Sequence, residues 1–329
     1  MRAGVSVFRG RKVLVAGGTG MIGIQLVGLL VEAGARVRIA SLDDPARAHP
    51  DAELVRSDLT SFDNCLAACH GMDFVFNLLG VKGSPAVTTT KPASFFVPTV
   101  MMDTALMEAA RRCAVEGFLF TSSVGVYAPA EVFREDDVWK TFPSENDRFA
   151  GWAKRMGELQ AEAYRIQHGW DRIAIVRPSN VYGPYDNFDL ENAMVVPTLI
   201  RRAVDGENPF RVWGDGSAER DFVHATDVAR GMILAAERMP GHPVNLGSGV
   251  GISIRRLVEI ITSNVTSRPE VVWDRSKPSG DRKRLMDISR ARAMGWGPAI
   301  PLEVGVADVM EWYRRNRTKA AGRYDVFGH

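Results

Sequence analysis

Cysteine is scarce in this chain of 329 residues, with only Cys65, Cys69 and Cys113. The count is odd, and no second pair of ligands follows at a metal-site spacing, so reduced structural thiols are expected and no metal centre. Charge of one sign is lacking as well. Lys and Arg number 41 against 39 Asp and Glu, a net charge of +2, which gives no reason to expect nucleic acid or an anionic membrane as partner. Only the local run Arg282-Lys283-Arg284 stands out as an anion site. Long apolar runs are missing too. The run from Val13 to Ala16 ends in glycines after four residues, too few for a signal-peptide core or a membrane span. A cytoplasmic protein is expected, without internal repeats and with a loosely ordered tail from Thr318.

What is present is alternation. Lys12 to Ala16 reads as a strand entering a glycine turn, Met21 to Ala33 as a helix and Val37 to Ala40 as a second strand, which makes a βαβ unit. Strands are then expected at Phe74 to Leu78, Gly117 to Thr121 and Ile173 to Val176, with helices around Thr99 to Cys113 and Trp152 to Gln167. Alternation of this kind predicts an α/β fold, a doubly wound parallel sheet of Rossmann type. Beyond Pro184 the pattern loosens into turns, with helices near Pro197 to Val204 and Ile254 to Thr262. Residues 1–184 are therefore expected to form mainly the dinucleotide-binding domain and 185–329 mainly a smaller substrate-binding lobe, with strands free to interleave between them.

The first chemical motif is Gly17-Gly18-Thr19-Gly20-Met21-Ile22-Gly23. Gly17 permits the turn after the strand, Gly20 lets the backbone approach a pyrophosphate, Gly23 lets the helix pack on the sheet, and the helix N-terminus offers amides to phosphates. Its place between a strand and a helix is the context that gives such a pattern meaning. With glycines three and three apart it resembles the extended short-chain dehydrogenase/reductase family. That resemblance implies a cofactor, NAD or NADP, contacted by Gly17, Gly20, Met21, Ile22, Gly23, Ser41 at the end of the second strand, and Asp58 and Leu59. As a bare feature Asp58 is equally a helix N-cap. An acid at the end of the second strand would accept from the ribose 2′-hydroxyl and repel a 2′-phosphate. That position holds Ser41, but Asp43 and Asp44 follow, which tilts the expectation towards NAD although Arg47 would favour NADP.

The second constellation, Thr121-Ser122-Ser123-Val124-Gly125-Val126-Tyr127, ends a strand at the carboxyl edge of the sheet, where ligands bind in such folds. The resemblance makes Ser123 the active-site serine that hydrogen-bonds the oxygen of the carbon being oxidised or reduced. Phe149-Ala150-Gly151-Trp152-Ala153-Lys154 resembles the family's Tyr-x-x-x-Lys segment. Lys154 is retained, with the implied tasks of holding the nicotinamide ribose and acidifying a neighbouring phenol, but Ala150 stands where the tyrosine is expected. The rest of the segment is intact, which favours a deliberate substitution at that one position and implies an enzyme impaired by it.

A third set concerns the substrate. Arg177-Pro178-Ser179-Asn180-Val181-Tyr182-Gly183-Pro184 resembles the family segment whose asparagine, here Asn180, meets a sugar nucleotide. Trp213-Gly214-Asp215-Gly216 and Arg220-Asp221-Phe222-Val223-His224 resemble the segment that brings an arginine, here Arg220, to the diphosphate, a task that suits a planar and permanently charged guanidinium. Asp274, Ser276, Lys277, Pro278, Gly280 and Arg282 resemble the GDP-L-fucose synthase branch. Members of that branch also epimerise ring carbons with a cysteine and a histidine, whose positions here hold Gly125 and Tyr185. Glycine has no proton to trade, and a phenol is a poor base near neutral pH.

The resemblance thus implies a homodimer acting at one carbon of a sugar nucleotide, first of all a GDP-hexose, as a 4-epimerase or 4-ketoreductase. Two other readings stay open. One is a silent binder of dinucleotide and sugar nucleotide. The other is an enzyme using another acid, with Tyr127, Tyr182 and Tyr185 as candidates.

Overall fold

The computed structural model describes residues 7–81, 83, 90–277 and 281–317. Pro278 and Gly280, and the tail from Thr318, lie outside the described residues. Strand β1 (Lys12–Ala16) buries every residue after its lysine. Helix α1 (Met21–Glu32) turns Met21, Gly23, Leu26, Val27 and Leu30 inward at helical spacing. Strands β2 (Arg36–Ser41), β3 (Glu53–Arg56), β4 (Phe74–Asn77), β5 (Gly117–Thr121) and β7 (Ile173–Pro178) alternate with helices α2 (Phe62–Cys69), α3 (Pro92–Arg112) and α4 (Arg148–His168). Together with β11 (Val244–Leu246) they form one seven-stranded sheet in the order β11-β7-β5-β4-β1-β2-β3. All six pairings are parallel. The chain runs outward from β1 to β3 and then returns to place β4 on the other side of β1. That reversal leaves a crevice at the carboxyl ends of β1 and β4, where ligands of such sheets bind.

Side chains alternate across the sheet because successive strand residues face opposite ways. Val13, Val15, Phe74, Phe76 and Leu119 pack with α1 and α6 (Ala225–Arg238), whereas Leu14, Ala16, Val75, Phe118 and Phe120 pack with α2, α3 and α4. Near-continuous apolar runs are what a strand covered on both faces requires. Residues 225–246 thus come back to the large sheet after the chain has left it. A third cluster joins α5 (Val195–Val204), α7 (Ile254–Ser263) and, after the short α8 (Ser289–Met294), α9 (Leu302–Asn316) around Phe210 and Phe222. Beside it lie two smaller sheets. In one, β12 (Gly251–Ser253), β10 (Glu219–His224), β14 (Lys283–Met286) and β6 (Val132–Phe133) lie in that order, with β8 (Asn180–Tyr182) on β10. In the other, β13 (Val271–Asp274) pairs with β9 (Phe210–Trp213). Among the described residues no helix is long and apolar enough to cross a membrane.

Candidate active site

A cleft of about 420 Å³ opens at the crevice. At one end the glycine loop carries the chain from β1 into α1. Gly17 has φ +80° and the amide of Gly20 closes the turn on the Gly17 carbonyl at 3.0 Å. A Cβ on Gly23 would overlap the Gly17 carbonyl oxygen and lie 2.7 Å from the Gly18 Cα, so the turn closes only around glycine. Helix α1 has no side-chain cap and no acid in its first turn. Its leading amides therefore face the cleft, whose wall includes Gly17, Gly20, Met21, Ile22 and Gly23. This cradle fits the diphosphate of a dinucleotide. Further along the wall, Thr121 Oγ1 is buried with no hydrogen-bond partner among the described residues, a polar atom a ligand could satisfy.

Other residues expected at the cofactor stand around this cradle and outside the cleft wall. Ser41 is buried, its hydroxyl 2.5 Å from Thr19 Oγ1 and accepting from the Asp43 amide at 3.1 Å. Thr19 also donates to the Asp43 carboxylate at 2.7 Å, which fixes that acid beside the glycine loop. Arg47 donates to the carbonyls of Thr19 and Tyr185. Asp58 is not a helix cap: it accepts from the amide and hydroxyl of Thr60 at 2.9 and 2.8 Å, ahead of an α2 whose N-cap is Ser61. It is exposed, while Leu59 is buried.

The other end of the cleft is built by β5 and α4. Ser123 caps the turn 124–126, its hydroxyl accepting from the Gly125 amide at 3.1 Å, and lines the cleft. Ser122 faces inward, donating to Glu158 at 2.6 Å, and Glu158 pairs with Arg177 at 2.6 Å. The two adjacent serines thus divide the work: one joins the buried scaffold and the other faces the ligand. A Cβ on Gly151 would overlap the Gly125 carbonyl, so glycine at 151 lets the first turn of α4 dock directly on this loop. Docking places Ala150 on the cleft wall together with Glu145, Asn146, Asp147, Arg148 and Phe149.

Lys154 lies just behind the wall, its ammonium 3.7 Å from the point a Cβ on Gly80 would occupy. It donates to the Leu79 carbonyl at 2.7 Å and to Asp103 at 2.9 Å, with side-chain exposures of 10% for the lysine and 2% for the aspartate. Asn77 donates to the other Asp103 oxygen at 2.9 Å. Burial holds the Asp103 carboxyl above the usual carboxylate range, although the lysine's charge and the two hydrogen bonds pull the other way. A charged and an amide donor thus satisfy its two oxygens.

None of the three alternative tyrosines serves the cleft. Tyr127 is buried, donates to Asn245 at 2.5 Å and accepts from Arg177 at 3.1 Å, and burial pushes its phenol up to about 12. Tyr182 is 1% exposed and directed at α9, where a Cβ on Gly305 would overlap its oxygen; burial raises this phenol as well. Tyr185 lies against Trp312 and beneath Arg47. Tyr182 and Tyr185 are turned away because β8 and the turn after it pack onto the second lobe, and Tyr127 because it is drawn into the core beside Phe133 and Arg177; spacing along the chain does not reveal either direction.

Among residues expected at the substrate, Asn180 lines the cleft and donates to the Asp221 carbonyl at 3.1 Å. Arg220 donates to the carbonyls of Glu219 and Asp281, away from the wall. Trp213 is 61% exposed with the Lys277 ammonium 5.9 Å from its ring centre, and Arg282 is exposed. The structure does not bring Trp213, Arg220, Lys277 or Arg282 to the wall. Of the basic run it is Arg284 that does, pairing with Asp147 at 2.6 Å and Asp281 at 2.5 Å. Burial opposes the charge of Arg284 and the two carboxylates outweigh it, so its pKa is raised. Asp147 and Asp103 were not singled out by sequence. Asp147 carried one usable signal, an aspartate directly before a helix. No group of three metal-ligating side chains occurs among the described residues.

This geometry belongs to a known class. The chain is a member of the NAD dependent epimerase/dehydratase family, whose model matches residues 13–247. It is 34% identical over 318 residues to a probable GDP-L-fucose synthase 1 of Oryza sativa subsp. japonica, covering 94% of this chain and 93% of that one. With a dTDP-4-dehydro-6-deoxy-D-allose reductase of a Streptomyces species it shares 30% over 324 residues, 94% and 98% of the two chains. The UDP-glucose 4-epimerase of Thermotoga maritima, solved with UDP-glucose, superposes with a TM-score of 0.82 at 26% identity over 92% of this chain and 99% of that one. The cofactor is accordingly a nicotinamide dinucleotide.

Proposed function

We propose that the chain acts at C4 of a sugar nucleotide, with GDP-hexoses the first candidates, as a 4-epimerase or 4-ketoreductase. One observation carries this reading. The amide end of α1, the Ser123 hydroxyl and Asn180 line a single cleft, so a dinucleotide's phosphates and a sugar's reacting carbon can be held in one space. The relatives support the substrate class, since their names pair a GDP-sugar synthase with a reductase of a 4-dehydro sugar nucleotide. Gly125 and Tyr185 argue against the double epimerisation of the fucose synthases, because neither offers a proton-trading group to the cleft.

When bound, the dinucleotide supplies hydride transfer. The chain's own residues do the rest. The α1 amides bind the diphosphate, and the Ser123 hydroxyl donates to the oxygen on the reacting carbon. Leu78, Phe95, Met194 and Phe222 on the wall limit water around it. NAD is the favoured form, because Asp43 is fixed beside the loop where it would repel a 2′-phosphate.

A second reading has its own support: no phenol lines the cleft among the described residues and the Lys154 ammonium is engaged elsewhere, as a binder without turnover would show. Calorimetry with NAD and NADP, then with GDP-, UDP-, CDP- and dTDP-hexoses, followed by turnover assays on whichever binds, separates the two. Failure to bind either dinucleotide at millimolar concentration would refute both.

We also propose a homodimer. Trp152, Leu159 and Ile166 recur every seven residues along α4, with Leu159 and Ile166 45% and 80% exposed, and Val97 and Met101 on the neighbouring α3 are exposed as well. An apolar stripe of this kind on paired helices suits a four-helix bundle with a second copy. A monomer by light scattering at micromolar concentration would contradict it.

A further inference from the structure

We propose that Asp147 takes the place of the missing phenol as the acid/base of this site, an inference that rests on the 4-epimerase or 4-ketoreductase reading. The cleft wall leaves few alternatives. Among the described residues the titratable side chains on it are those of Glu145, Asp147, Arg148 and Arg284. Guanidinium groups do not exchange protons in proteins, and the Glu145 side chain is 87% exposed. Asp147 is the half-buried carboxylate, one helical turn ahead of Ala150 and two ahead of Lys154 at the start of α4.

It also faces the right neighbour. The point a Cβ on Gly125 would occupy lies 3.6 Å from the Asp147 Cγ and 3.5 Å from the Ser123 Oγ. Carboxylate and hydroxyl therefore flank one small volume, left open because residue 125 is glycine. Arg284 fixes the carboxylate at 2.6 Å, and the Ser144 hydroxyl lies 3.4 Å from the same oxygen. Because Asp281 shares that guanidinium at 2.5 Å, Asp147 can take up a proton without leaving Arg284 unpaired.

The step balances. In the oxidising direction a sugar hydroxyl held by Ser123 gives its proton to the Asp147 carboxylate, one O–H bond forming as the other breaks. The freed electron pair completes the C=O bond, and the hydride lost from that carbon would be taken up by an oxidised dinucleotide bound in the cradle, which would be reduced. In the reducing direction the hydride returns and the Asp147 carboxyl gives its proton to the oxygen. One group serves both halves of an epimerisation.

The test compares Asp147→Asn, Asp147→Glu and Arg284→Gln, using GDP-L-fucose and UDP-glucose with each dinucleotide. Asp147→Asn should lower kcat by ~10²- to 10⁴-fold, the usual contribution of a positioned acid/base, while calorimetric affinities for dinucleotide and sugar nucleotide change only a few-fold. It should also abolish the acid limb of the oxidative pH–rate profile, which Asp147→Glu and Arg284→Gln should keep. Apart from turnover, the side-chain carboxyl ¹³C resonance lost in Asp147→Asn should shift when sugar nucleotide is added to the unmodified chain. If Asp147→Asn and Arg284→Gln lose rate equally and both keep the acid limb, Asp147 is only a clasp and the proposal is overturned. Binding of sugar nucleotides without turnover overturns it as well. Failure to bind any sugar nucleotide defeats the underlying reading, and this inference with it.

Discussion

The two ends of the cleft are built on different principles. At the glycine-loop end the groups offered to the cleft are main-chain ones, amides at a helix terminus and a turn so tight that a methyl group on Gly23 would strike the backbone. At the α4 end the main chain docks as tightly, Gly151 against the Gly125 carbonyl, but the groups offered to the cleft are side chains with space around them. A Cβ on Gly125 would meet nothing closer than 3.4 Å, and Ala150 borders open cleft. A main-chain site is dictated by packing and leaves little room for change. A side-chain site can lose one group and recruit another without disturbing the fold. On that contrast a chain could keep its glycine-loop cradle while the residue at position 150 changed.

The sharpest test of the contrast is a pair of glycines. Gly23→Ala should abolish detectable dinucleotide binding by calorimetry and cost about 1–3 kcal/mol of stability through forced backbone shifts. Gly125→Ala should fold normally and still bind. Equal damage from the two would break the comparison.

Next in size is the buried pair behind the cleft. Asp103→Ala strands the Lys154 ammonium in a site it cannot leave, and removing one partner of a buried pair typically costs about 3–5 kcal/mol. A urea melt should show that loss in full, whereas Asp103→Asn, which keeps an oxygen for the lysine, should lose less. A change under about 1 kcal/mol would place the pair among the weak exposed ones.

The same contrast governs what sequence could reveal. The glycine turn, the placement of Ser123 at the sheet's carboxyl edge and five strands of the large sheet were legible because strand–turn–helix sterics leave a mark on local residue choice. β3 and β11 were not: β3, Glu53–Arg56, carries only two apolar residues between charged ends, and β11 has three residues in all, too few to show a pattern. α6 escaped because it lies in a stretch read as loose lobe, though it packs on α1. Direction was the larger gap. Spacing placed Lys154 one helical turn from position 150 but could not show that its ammonium turns back to Asp103, a partner 51 residues away. Tyr127, Tyr182 and Tyr185 were near the right segments and face the wrong way. Asp147 looked like any acid before a helix, and only the fold brings Arg284 to it across 137 positions of sequence.

Ala150→Tyr probes the side-chain end directly. Were position 150 merely emptied of its acid, a new phenol would raise turnover by ~10²-fold or more. Two observations point the other way. The charge of Lys154 is matched by Asp103 at 2.9 Å, so little of it remains to acidify a phenol, and Asp147 already stands beside Ser123. The expected outcome is a fall of up to about 10²-fold, the effect of displacing a substrate by roughly an ångström. A rise would return the chemistry to position 150 and remove the case for Asp147.

The smallest effect concerns the cofactor end, where side chains matter least. Asp43 is fixed by the Thr19 hydroxyl at 2.7 Å, two residues past β2, and a carboxylate there disfavours a 2′-phosphate. Arg47, three residues beyond Asp44, would attract one, but it already donates to the carbonyls of Thr19 and Tyr185. Asp43→Asn should therefore narrow the preference for NAD over NADP by about tenfold, equivalent to ~1.4 kcal/mol, without altering the affinity for the shared diphosphate. Arg47→Ala should widen it, because the remaining carboxylate would act alone. Both are read as the ratio of the two calorimetric dissociation constants, at low salt so that screening does not hide a single charge. If neither variant moves the ratio, cofactor choice at this end is also set by the main chain, and side chains decide nothing there.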